Sequence, residues 1–443
     1  MKETDLTQGK IFQKLIKFSL PMIAGNLLQQ IYNLVDTLIV GRCLGADALA
    51  AVGSAYTLMI FITSIIIGLC MGSGAFFSED YGAGNQKKLK EDIWLSFWFI
   101  LSVSVVICAI IYPGMNFILW ILQTPKELME LTREYVTVVF VGIIFVFLYN
   151  FFAYLLRSMG NSFMPLVFLA ISSVLNIVLD IWFVAGLNMG VGGAALATVI
   201  AQAVSGLGLL IYSMIKIPVL KNNHERTGFN IQRLKEIIIN DVATGIQQSV
   251  MNFGILMIQG LVNSFGITIM ASFAAAVKID TIAYMPAQEF GNAYSLFVSQ
   301  NYGADEKDRI RKGTHISFVI SALFCVVISL MIFIFAENLM RIFIDADEIR
   351  IIAEGTRYLK IEGSMYVGIG VLFLWYGYFR GINKPHISLL LTVISLGTRV
   401  ILSYTLAPHT PLGVTAIWSS IPIGWVLADV VGLYLYMKIF NGR

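Results

Sequence analysis

Twelve times along this chain an apolar stretch recurs that is long enough to cross a bilayer, which takes about 20 residues as a helix. The approximate limits are 15–41, 49–77, 93–120, 134–156, 163–186, 192–215, 237–263, 268–298, 314–336, 357–380, 386–407 and 412–437. Hydrocarbon offers the backbone no water, so each stretch must satisfy its own N–H and C=O groups as a helix. Composition agrees: 57% of the 443 residues are hydrophobic and 13% are charged, where soluble domains carry about 25% charged residues. The fold class that follows is an all-α polytopic membrane protein with twelve transmembrane helices.

Lys and Arg placement sets the orientation. With the N-terminus inside, 21 of the 30 basic residues fall in inner segments and 7 in outer ones, with Lys278 and Arg399 inside spans. This bias predicts a plasma (inner) membrane protein with both termini in the cytoplasm. The opening MKETDLTQGKIFQKLIKFSL runs from charged residues straight into a long helix and reads as retained, not as a cleaved signal. A net charge of +3 without a basic aromatic module argues against a nucleic-acid partner. Cys43, Cys70, Cys108 and Cys325 have no metal-like spacing and read as small packing residues. There is no P-loop, so this chain hydrolyses no ATP, and no ATPase subunit is expected. No HExxH motif or nucleophile–base constellation appears, and His224, His315, His386 and His409 lie in loops or near span ends. No enzyme activity and no catalytic residue are expected.

The second half repeats the first. FFSEDYGAGN at 76–85 matches FVSQNYGADE at 297–306, an offset of 221, and the same offset places Gly45 over Gly266, Ala50 over Ala271 and Gly192 over Gly413. Six spans per half mean that both copies run the same way through the membrane. That predicts two pseudo-symmetric six-helix lobes around a central cleft. The expected division is an N-terminal lobe at 1–215, a cytoplasmic linker at 216–236 with room for a membrane-surface helix, and a C-terminal lobe at 237–443. One chain holds both lobes, so a monomer suffices.

The first span, PMIAGNLLQQIYNLVDTLIVG at 21–41, is unusually polar. Most of Asn26, Gln29, Gln30, Tyr32, Asn33, Asp36 and Thr37 fall on one broad helical face. Asp36 lies one to two turns from the end, where a carboxylate must face a cavity or partner helices. In the fifth span Asn176 and Asp180 are four apart and share a face. The repeat does not preserve these groups: Asp36 aligns with Met257, Asp180 with Ile401 and Asn176 with Gly397. Acids kept in one half only suggest a proton or cation site in the N-terminal lobe. Asp36, Asn176, Asp180 and Thr198 can bind Na⁺ through oxygen, or an acid among them can exchange a proton. Thr198 fits helix packing equally well.

The C-terminal half has its own polar stripe. Asp241, Thr244, Gln248 and Asn252 line the seventh span, and Lys278, Asp280 and Glu289 sit in the eighth, loosened by Pro286. These three either contact substrate or join Arg399 and Asp429 in a charge network. The tenth span, YVGIGVLFLWYGYF, reads as having no acid. GSG at 72–74 marks close packing or a flexible helix. Aromatic residues lining a cleft would suit flat lipophilic cations.

Over essentially its whole length the chain resembles the multidrug and toxin extrusion (MATE) transporters. The likeness rests on Pro21 followed by Asp36 in NLVDTLIVGRCLG, on YGAGN and QNYGADE, on RSMGN at 157–161 and on NIVLD at 176–180. That resemblance implies a two-lobe antiporter that takes in H⁺ or Na⁺ and exports organic cations by alternating access, with no other cofactor. It implies ion-site roles for Asp36, Asn176, Asp180 and Thr198, cavity-wall roles for Gln29, Tyr32 and Asn33, and a first helix that bends near Pro21. The alternative is a flippase for lipids or lipid-linked oligosaccharides. Anionic head groups would call for clustered Arg and Lys in the spans, and only Lys278 and Arg399 lie there.

Overall fold

The computed structural model describes residues 5–121, 124–221 and 230–441. The helices in chain order are α1 (Ile11–Leu44), α2 (Ala46–Gly82), α3 (Gln86–Ile121), α4 (Met129–Val141), α5 (Ile143–Ser158), α6 (Phe163–Asp180) with a wider π-helical run at Ile181–Gly186, α7 (Gly190–Lys216), the single turn α8 (Pro218–Lys221), α9 (Ile231–Ser264), α10 (Ile267–Gly303), α11 (Lys307–Met340), α12 (Ile349–Gly363), α13 (Tyr366–Gly381), α14 (Pro385–Leu406) and α15 (Val414–Asn441). Counting α4–α5 and α12–α13 as one span each, this is the twelve-helix, two-lobe fold. At 1.5 Å per residue α2 is about 55 Å long, well beyond the ~30 Å of hydrocarbon. Eight helices are apolar enough to cross a membrane by length and composition, or nine with α4–α5, which bends by 42°. α1, α9 and the α12–α13 pair fall outside that count. α1 and α9 carry the polar faces noted above. Part of the expected linker, residues 222–229, lies outside the described residues.

The pseudo-symmetry is visible in the turns. The aligned Gly45 and Gly266 both have positive φ, +89° and +96°. Gly84 and Asp305, again 221 apart, both adopt the left-handed region at +68° and +55°. Glycine enters that region freely, whereas Asp does so at a cost.

Contacts divide the fold into two compact units. The first comprises Leu20–Ser249, Gly303–Asp305 and the segment ending at Thr7; the second comprises Gln8–Ser19, Val250–Tyr302 and Glu306–Arg443. The N-terminal turns of α1 thus pack in the second unit, and the first half of α9 packs in the first.

In the first unit the fully buried Phe147 and Phe151 both meet Phe97, and the fully buried Phe77 meets Phe151 edge-on. The α4–α5 bend falls at Gly142, where the Gln202 side chain fills the place of a Cβ. α2 and α9 approach closely along small residues. A Cβ on Gly68 would lie 2.5 Å from Gly245 Cα, and one on Gly72 would lie 2.6 Å from Asp241 Oδ1. Ser73 Oγ donates to Asp241 Oδ2 at 2.5 Å, and Asn240 Nδ2 to Gly72 O at 3.1 Å. GSG at 72–74 is therefore a close-packing site, with Gly74 against the Tyr154 ring. At the end of this seam Arg233 pairs with both oxygens of the fully buried Asp92, and also with Glu236 at 2.8 Å. Its guanidinium lies 4.4 Å from the Phe76 ring centroid.

In the second unit Phe273 stacks on Trp418 at 5.3 Å, and Tyr358 meets Trp418 edge-on at 4.9 Å. α10 and α13 touch backbone to backbone, since a Cβ on Gly377 would lie 2.5 Å from Gly291 O. Cys70 and Cys325 are buried packing residues; Cys43 is exposed and Cys108 half-buried.

Candidate ion and substrate sites

In the first unit α1 supplies Tyr32 and Asp36, and α6 supplies Asn176 and Asp180. The Asp36 and Asp180 carboxyl groups are near enough to interact, and Tyr32 and Tyr135 lie within electrostatic reach of both acids. Asp180 is fully buried and neither of its oxygens has a hydrogen-bond partner among the described residues. The same holds for both polar atoms of the buried Asn176 and for Asp36 Oδ1. Buried polar atoms normally have partners, so this cluster has unused capacity for an ion, a proton or water. The π-helical run begins at the residue after Asp180. Its i→i+5 bonds widen the helix, and such bulges concentrate at functional sites.

The remaining first-unit candidates are less gathered. Thr198 is half-buried and donates to Ala194 O at 3.1 Å within its own helix, leaving its oxygen lone pairs free to accept. Gln29 is exposed and Asn33 half-buried. Pro21 sits inside an unbroken α1, two residues past the point where that helix changes from the second unit to the first. The aligned positions in the second half hold no such cluster: Met257 and Ile401 are exposed, and nothing lies within 4 Å of a Cβ on Gly397. Sequence reasoning missed Tyr135 of α4 as a neighbour of the acids, and Tyr56 of α2 as a neighbour of Tyr32 and Tyr135. Neither stands out in a chain with 18 tyrosines.

The second unit holds a separate polar centre. Asp280, Glu362 and Arg399 are all buried and line a cavity of about 90 Å³. Tyr366 Oη donates to Asp280 Oδ1 at 2.6 Å. Here the reading of the tenth span as acid-free is corrected: that span begins with α12, and α12 carries Glu362. Glu362 lies inside the 357–380 span but was overlooked because it belongs to the charge-dense α12 (IRIIAEGTRYLKIEG), ahead of the apolar run that begins at Tyr366. Tyr358, Glu362 and Tyr366 lie at i, i+4 and i+8, which is the signal that a buried face was there. Lys278 is exposed, and Glu289 is half-buried and accepts from Asn292 Nδ2 at 3.3 Å. Neither lines the cavity that Asp280 lines. Among the described residues no group of three or more His, Cys, Asp or Glu could hold a metal. Any Na⁺ at Asp36 and Asp180 would need the amide and hydroxyl oxygens as well.

A profile of the MatE family matches the chain twice, over residues 21–182 and 243–405. The chain is 32% identical to the probable multidrug resistance protein YpnP of Bacillus subtilis (strain 168) over 401 residues, 89% of this chain and 88% of that protein. It is 26% identical to the probable multidrug resistance protein NorM of Thermotoga maritima over 428 residues, 95% of this chain and 90% of that protein. It is 23% identical to the multidrug export protein MepA of Staphylococcus haemolyticus, over 98% of this chain and 95% of that protein. Among solved structures, an outward-facing multidrug resistance MATE transporter superposes with a TM-score of 0.92 at 23% identity, covering 100% of this chain and 98% of that one. A MATE structure in complex with MaL6 superposes with a TM-score of 0.91 at 24% identity, covering 100% and 99%.

Proposed function

This chain belongs to the MatE family, the multidrug and toxin extrusion transporters, and we propose that it is a cation-coupled antiporter that exports organic, mostly cationic compounds by alternating access. The observation that carries this reading is the facing pair Asp36 and Asp180, with buried oxygens left unpartnered beside Asn176. Two carboxylates brought close in a low-dielectric site repel when both are ionised. An incoming H⁺ or Na⁺ relieves that repulsion, with Thr198 offering a further oxygen to Na⁺. A cationic cargo relieves it in the same way, so ion and cargo compete for one site. Competition of this kind, with a different access side for each state, is antiport.

Asp36 sits on α1, so loading the site changes the packing of that helix, and Pro21 marks where α1 yields. Gln29, Tyr32 and Asn33 form the cavity wall on the same helix. In the second unit Asp280 is the candidate for a small cationic group of the cargo, with Lys278 and Glu289 in peripheral roles. The protein works as a monomer in the plasma membrane with both termini cytoplasmic, on the Lys and Arg bias. Its moving bodies are the lobes 1–215 and 237–443, joined by 216–236, except that Gln8–Ser19 moves with the second and the first half of α9, to Ser249, with the first. One pH unit, or about 60 mV, supplies roughly 1.4 kcal/mol per charge moved.

The test is purified protein in liposomes loaded with a fluorescent lipophilic cation, driven by a proton or a sodium gradient in turn. Dye movement under one gradient, lost in Asp36→Asn and in Asp180→Asn, is the expected result and names the ion. Movement that survives both substitutions refutes the coupling site. No movement under either gradient refutes the organic-cation reading and turns attention to lipid and lipid-linked sugar cargo.

A further inference from the structure

The 90 Å³ cavity of the second unit is walled by charge of both signs. Its lining includes two acids, Asp280 and Glu362, each 3% exposed. Asp280 already accepts from Tyr366, while Glu362 Oε2 has no partner among the described residues. Arg399 is 9% exposed, and its Nε is buried without a hydrogen-bond partner among the described residues. It acts on both acids through space, and its Nε donor is unused. Leaving a buried donor without an acceptor costs about 1–3 kcal/mol, and guanidinium is a fixed fork of donors suited to a planar carboxylate. The other walls are apolar or aromatic, among them Phe373, Leu396 and Trp425. The space is smaller than the ~150 Å³ cavity that takes benzene, so only a small group enters.

The geometry points to a binding site for a small zwitterion, the ammonium-and-carboxylate head of an α-amino acid. The head's carboxylate meets Arg399, its ammonium meets Glu362 and Asp280, and its short side chain lies against the apolar wall. Neither a simple cation nor a simple anion answers both signs of charge. The site is independent of coupling at Asp36 and Asp180. Free amino acids and a serine lipid head group share the recognised chemistry.

The test is equilibrium binding of L-alanine, ethylamine and propionate to the full-length protein in phosphatidylcholine nanodiscs. Alanine is expected to bind at least about tenfold more tightly than either half-molecule, the worth of one charge-assisted contact. Arg399→Gln should weaken alanine by a similar factor and leave ethylamine unchanged. Glu362→Gln should weaken alanine and leave propionate unchanged. Competition by nanodiscs containing phosphatidylserine would assign the head group to lipid; its absence would assign it to free amino acids. Ethylamine or propionate binding as well as alanine overturns the inference. So does an absence of alanine binding at millimolar concentration by wild-type protein with an intact melting transition, which would leave water as the occupant. The wild-type comparison decides the matter even where a variant fails to fold.

Discussion

Replacing Gly68 with Ala should loosen the first unit, although it adds only one methyl group. A Cβ there would lie 2.5 Å from Gly245 Cα, 2.9 Å from Thr244 O and 3.0 Å from Gly245 N. All three atoms are backbone, so no rotamer change relieves the clash. Carbon atoms rest at about 3.5–4.0 Å, so α2 and α9 must separate locally by roughly 1 Å. Overpacking of this kind costs about 1–3 kcal/mol. Ala also gains about 1 kcal/mol over Gly in helix propensity, which would mask part of the loss. Gly53 supplies the control: it lies on the same helix, and nothing lies within 4 Å of its Cβ position. The propensity gain is common to both substitutions, so their difference isolates the clash. Thermal unfolding in one detergent, followed by tryptophan fluorescence and by the monodisperse fraction after heating, should place Gly68→Ala below wild type and Gly53→Ala at or above it. Gly245→Ala, whose nearest neighbour would be Leu69 Cδ2 at 3.4 Å, should fall between them. If Gly68→Ala melts with Gly53→Ala, the close approach of α2 and α9 is wrong.

Arg233→Ala leaves Asp92 buried without its partner and should cost about 3–5 kcal/mol; Arg233→Ala with Asp92→Ala should recover much of it, read as melting temperatures across the four-way cycle. Tyr366→Phe removes the 2.6 Å bond to Asp280 and should cost about 1–3 kcal/mol. It should also weaken alanine binding in the nanodisc assay, because Asp280 loses the contact that orients it. Asn188→Gly should stabilise by about 0.5–1 kcal/mol, since φ is +51° at this exposed residue and Gly reaches that region without a Cβ penalty. An unchanged or lower melting temperature in that variant would contradict the backbone reading.

Much of the fold is legible in the sequence because the bilayer removes alternatives. A long apolar run can only be a helix, and a fixed offset of polar turn residues can only mean duplication. The turns at Gly45 and Gly266 show why these signals survive: both need positive φ, and that requirement is local. The polar cluster of the first unit was legible for a related reason. Asp36, Asn176 and Asp180 are costly in an apolar span unless they face something, so their presence alone marks them. Glu362 was not legible in that way. Its neighbours Arg350, Glu354, Arg357 and Lys360 are charged too, and only the spacing of Glu362 with Tyr358 and Tyr366 sets it apart from the other four.

What the sequence determined by itself was therefore the set of spans, their duplication and the unpaired acids of the first half, each set by transfer free energy or backbone conformation acting within a few turns. What only the tertiary structure decided was which distant groups meet. Asp36 lies 144 positions from Asp180, Gly68 meets Gly245, and Arg399 shares a cavity with Glu362. Those meetings depend on how helices pack, and packing is fixed by the shapes of two surfaces together, which neither stretch of sequence contains alone.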